Sequence, residues 1–151
     1  MNFPNYPNTV RNRLSLVLLL AMFAASAHAE VVVIVSAKSP VTSLTAEQTA
    51  KIFLGKTSTF PDDGVAYPID QAEGSEARNE FYANVVHKNP TQLSAYWARV
   101  IFTGNGQPPV ALAGNVTVRS VVAKNRNAIG YIDKRYLNRS VRVVLSVEKN
   151  D

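Results

Sequence analysis

Residues 70–78 read Asp-Gln-Ala-Glu-Gly-Ser-Glu-Ala-Arg, a short stretch carrying an amide, a hydroxyl and a guanidinium among carboxylates. Its pattern is a strand end, a Gly-Ser turn and the start of a helix. A helix start leaves unpaired N–H groups and the positive end of the peptide dipole, which together seat an anion. Ser75 would add its hydroxyl, Gln71 its amide, and Arg78 a charged fork one turn into the helix. Asp70, Glu73 and Glu76 flank the same place and would repel an anion. The residues also have a plainer use. Ser75 can serve as a helix cap, and Arg78 can pair with Asp70 or Glu76.

Other chemistries find few residues to work with. There is no cysteine, and the histidines are His28 and His87. If His28 is removed with an N-terminal leader, neither a zinc cluster nor a Cys-His pair can be assembled. His87 falls at the end of a helical pattern, where it suits the negative end of the dipole. Asp62-Asp63-Gly64 reads as a turn, since Asp bonds its own backbone there. Gly104-Asn105-Gly106 is followed by Pro108-Pro109 where a phosphate-cradling helix would have to begin, so it is not a nucleotide loop. The expectation is a binding protein, not an enzyme, with no cofactor and no metal.

The elements that would position these groups alternate between strands and helices. "VVVIVS", 31–36, is a β-branched run without alternation, as expected of a strand buried on both faces. Thr45 and Gln48 match a capping box at the head of a helix with Ala46, Ala50, Phe53 and Leu54 on one stripe, ended by Gly55. "AYPID" is a short strand, and the helix after Ser75 carries Ala77, Phe81 and Val85 and runs to about His87. Asn89-Pro90 starts a helix with Leu93, Trp97, Val100 and Ile101, which Gly104 stops. Asn115 can cap a further helix bearing Val118, Val121 and Val122. "AIGYID" and "VRVVLSV" close the chain as strands. The order β-α-β-α-α-α-β-β predicts one α/β domain with a mainly parallel sheet. Ligands of such sheets collect at the carboxyl ends of strands, here 36–39, 70–78 and 133–136. Ser36, Asp70, Gln71, Ser75 and Arg78 are therefore the candidate ligand-binding residues.

Arg11 and Arg13, the apolar run 14–25 and "SAHAE" have the form of a cleavable signal peptide ending at Ala29. The run is too short to span a membrane, so the expected product, residues 30–151, is exported and not inserted. Of the formal net charge of +5, two units lie on Arg11 and Arg13. The remaining positive charge is scattered, so no nucleic-acid footprint is expected. Without cysteines, an exported chain must hold its fold by ordinary packing.

"VTSLTAEQTAKIFLGKTSTFPDDG", "GSEARNEFY", "YWARVIFTGNGQPP" and "AIGYID" together resemble the phosphate-type substrate-binding proteins of bacterial ABC transporters, most of all short members with one lobe. The resemblance runs from about Val31 to Val147. It implies a single lobe of a type II periplasmic binding protein-like fold, a periplasmic location, phosphate or a similar oxyanion as ligand, and an ABC permease as partner. It also implies an anion grip made by an arginine at the strand end and a Ser-Gly-Thr at the next helix start. Carried over by position, the arginine falls on Gln71, or on Asp70 if the register slips by one. The serine falls on Ser75, and the glycine and threonine become Glu76 and Ala77. The departures weigh on affinity. Gln offers a neutral amide where Arg offers a charged fork. A carboxylate about 4 Å from a bound anion repels it by roughly 4 kcal/mol at an effective dielectric of about 20. The alternative expectation is an exported interaction protein that keeps the fold, has lost the anion site and docks on another envelope protein. In either case one lobe leaves the facing wall to a second copy, as in a homodimer, or to a partner.

Overall fold

The computed structural model describes residues 29–148. The expected signal segment lies outside the described residues except for Ala29. The chain forms β1 (Val31–Ser36), α1 (Ala46–Phe53), β2 (Tyr67–Gln71), α2 (Glu76–Phe81), α3 (Pro90–Phe102), β3 (Val110–Leu112), α4 (Gly114–Lys124), β4 (Ala128–Asp133) and β5 (Val141–Ser146). The strands make one sheet in the order β3-β2-β4-β1-β5.

Helices cover both faces of this sheet, which explains why β1 shows no alternation. Val31, Val33 and Val35 enter one core with Phe53, Phe81, Trp97 and Tyr131, contributed by α1, α2, α3 and β4. Val32 and Ile34 enter the other, with Val118 and Val122 of α4 and Ile132 of β4. α4 lies so close to the sheet that a Cβ added to Gly130 would fall 2.8 Å from Val118 Cγ1 and 3.0 Å from Val122 Cγ2. Glycine in the middle of β4 is thus a packing requirement.

The α/β architecture agrees with the sequence pattern, and most local signals do as well. Thr45 and Asn89 each close a capping box, with Gln48 and Gln92 respectively. Gly55 and Gly104 follow the ends of α1 and α3 with φ of 66° and 70°. Asp62 Oδ1 accepts the Gly64 N–H in the expected turn.

Four features depart from the sequence pattern. First, β2 is parallel to both β3 and β4, but β1 is antiparallel to β4 and to β5. The alternation of strands and helices sets β2, β3 and β4 parallel, whereas the neighbours of β1 come from the far end of the chain. Second, β3 follows Pro109 as a short edge strand, at a place where the sequence pattern marks no element. Third, α2 ends at Phe81 and continues as a π-turn over Tyr82–Val86, buried at Tyr82, Val85 and Val86. His87 closes it at φ 55°, its N–H donating to Tyr82 O. Fourth, Asn115 does not cap α4. Ala113 holds that position without a side-chain bond, and Asn115 lies in the first turn.

Candidate functional site

Asp70 and Gln71 end β2, and the turn 72–75 leads from them into α2. Ser75 caps that helix, its Oγ accepting the Arg78 N–H at 3.1 Å. The same hydroxyl donates to Gln71 Oε1 at 3.3 Å. Gln71 is 1% exposed. Its Nε2 donates to Asn115 Oδ1 and to the Tyr131 carbonyl, each at 3.0 Å. The Gln71 amide is therefore engaged by the protein itself through both its nitrogen and its oxygen.

Asp70 is 3% exposed and stands at the centre of a polar cluster. Its Oδ1 accepts the Gln71 N–H at 2.8 Å and the hydroxyl of Tyr131. Its Oδ2 accepts the Tyr82 hydroxyl at 2.8 Å and Arg78 Nε at 3.4 Å. The aromatic core places both phenols. Tyr131 stacks on Phe81 with ring centroids 4.1 Å apart, and Phe81 meets Tyr82 edge-on at 5.2 Å. Burial, followed by the Asp70 charge, pushes both phenol pKa values far above the ordinary range for tyrosine. Both phenols are therefore fixed as donors. Arg78 also lies over the Tyr82 ring, its Cζ 5.1 Å from the centroid.

Arg78 is the group in this cluster that reaches open space. It lines a cleft of about 440 Å³ between the end of β2, α3 and the segment before β3, with Gln71, Glu73, Ser94, Trp97 and Pro108. A second groove of about 700 Å³ continues from it and shares Glu73, Arg78 and Ser94. Arg78 donates from Nε to Asp70, and its side chain is 13% exposed where the residue lines the cleft. Glu73 brings a carboxylate to the same walls.

Of the residues singled out in the sequence, Asp70, Gln71, Ser75 and Arg78 come together. Ser36 does not join them. Because β1 runs against β4, with Val31 opposite Asp133 and Val35 opposite Ile129, its carboxyl end lies at the other end of the sheet. There the Ser36 hydroxyl donates to Ala123 O at 3.1 Å. The third expected stretch, after β4, does share the end of the sheet with Gln71. Arg135 holds Asp133 there in a close ion pair and keeps its carboxyl below the usual range.

Tyr131, Tyr82 and Asn115 belong to the cluster and were not marked by the sequence pattern as site residues. Tyr131, inside the nearly apolar run of β4, was the available signal, because a buried hydroxyl requires a partner. Among the described residues no buried side-chain polar atom lacks one.

No family model matches the chain, and no curated protein matches it in sequence. Solved structures do. A phosphate ABC transporter substrate-binding protein from Clostridium perfringens, with bound phosphate, matches at 28% identity and a TM-score of 0.60, over 77% of this chain and 44% of that one. An ABC-type phosphate transport receptor from Vibrio cholerae matches at 20% identity and a TM-score of 0.63, over 77% and 45%. PstS from Borrelia burgdorferi matches at 16% identity and a TM-score of 0.57, over 77% and 46%. The resemblance seen in the sequence motifs therefore extends to the fold, and this chain spans less than half the length of each of these proteins.

Proposed function

We propose that the chain is an exported, periplasmic solute-binding module of the phosphate type, which takes phosphate or a similar small oxyanion and works beside an ABC permease. The observation that carries this reading is Arg78, a guanidinium held by Asp70 and Tyr82 on a residue that lines the cleft. Ser75 supports it by fixing the turn, and Gln71 by packing beneath it. The match at 28% identity to a protein holding phosphate favours this ligand class.

The binding would be weak. An anion paired with Arg78 in the cleft would sit about 6 Å from the Asp70 carboxylate, a repulsion of roughly 3 kcal/mol at an effective dielectric of about 20. Glu73 adds to it. The cleft lies along one face of the described residues, between the end of β2 and α3. A second copy or an envelope protein would supply a facing wall.

A second reading has its own observation. The hydrogen-bonding capacity of Gln71 and Asp70 is met from within, which favours an interaction protein of the same fold without a free ligand. Calorimetric titration of the purified chain with inorganic phosphate separates the two. Saturable heat at millimolar phosphate, lost in Ser75→Ala/Arg78→Ala, supports oxyanion binding. The absence of heat throughout the millimolar range supports the interaction protein.

A further inference from the structure

The donors around Asp70 form a complete anion-binding set. A backbone N–H, two phenolic hydroxyls and a guanidinium converge on its two oxygens. They come from separate elements: β2, the π-turn, α2 and β4. Charge-assisted donors of these kinds are what proteins direct at a bound carboxylate or phosphate. Burial and the Asp70 charge raise both phenol pKa values, which keeps both hydroxyls protonated and able to donate to Asp70. Asp133, at the same end of the sheet, differs. Its guanidinium partner is two residues away on an exposed side chain, which makes a local clamp.

We propose that the Asp70 carboxylate is a tethered anion occupying this site, a ligand that has become part of the chain. Removing it would vacate a seat for a small free carboxylate. The chemistry sets the size: Asp70→Ala keeps Cβ and leaves out one carboxylate group, the volume of formate. The seat is the place of the Asp70 carboxylate and the cleft is lined by Arg78, so this inference stands whether or not the wild-type chain binds phosphate.

The test uses purified Asp70→Ala chain and sodium formate, with sodium chloride at matched ionic strength as control. Asp70→Ala is expected to melt below wild type, and formate to raise its melting temperature saturably where chloride does not. Formate should raise the melting temperature of wild type far less than that of Asp70→Ala, and adding Arg78→Ala should weaken the rescue. A folded Asp70→Ala chain that treats formate and chloride alike overturns the proposal. If Asp70→Ala does not fold in plain buffer, it is expected to refold from urea in sodium formate and not in sodium chloride. Equal failure in the two salts also overturns the proposal. Failure of wild type to bind phosphate would sink the transport reading and leave this result untouched.

Discussion

Gln71 Nε2 donates to Asn115 Oδ1 at 3.0 Å, and that one oxygen also accepts the Asp133 N–H at 2.9 Å. A single side-chain atom in the first turn of α4 thus joins the ends of two parallel strands. Asn115→Ala should destabilise the chain by roughly 1–3 kcal/mol, the usual cost of leaving buried donors without a partner. Urea unfolding measures it, and a change within experimental error would mean that water replaces the amide.

Tyr131→Phe tests the cluster from the other side. The ring keeps its stack on Phe81, and the hydroxyl that donates to Asp70 and accepts the Gln71 N–H is lost. A loss of about 1–3 kcal/mol is expected. Combined with Asp70→Ala in a double-mutant cycle, the two changes should be clearly non-additive, because each removes the bond between Tyr131 and Asp70. Additive effects would show that the hydroxyl and the carboxylate act independently.

Gly130→Ala addresses the close approach of α4. The new methyl would meet Val118 and Val122 inside van der Waals contact, so helix or sheet must move. Overpacking of this kind costs about 1–3 kcal/mol. Adding Val118→Ala should recover part of that loss in the same unfolding assay, since it clears the nearer clash.

Asp133 supplies a pH dependence whose sign is fixed. Its ordinary pKa of 3.8 is lowered in the folded chain, first by the hydrogen bond from Arg135. A depressed folded value means the unfolded chain binds the proton more readily. The stabilisation is therefore full above pH 3.8 and is lost as pH falls from there through the lower folded value. Arg135→Ala should flatten this acid limb of the stability curve while changing its shape little above pH 5. An unchanged acid limb would remove Asp133 from the acid response.

The sequence revealed what short-range chemistry determines. Thr45 with Gln48 and Asn89 with Gln92 bond across three residues, so their capping boxes are legible without a fold. β3 was not legible, because its residues are exposed or half-buried and its pairing with β2 lends the sequence no periodicity. The site was legible in part. Asp70, Gln71, Ser75 and Arg78 are close in sequence and stay close in space. The partners that decide what Asp70 does, Tyr82 and Tyr131, lie 12 and 61 positions further along the chain. The direction of β1, and with it the place of Ser36, depends on strands that no local pattern connects to it.

That reversed first strand bears on when the protein can fold. β1 is flanked by β4 and β5, so its backbone finds no sheet partner until the last strands have left the ribosome. Contacts this distant in sequence are slow to form, and the early β-branched run must wait for them unpaired.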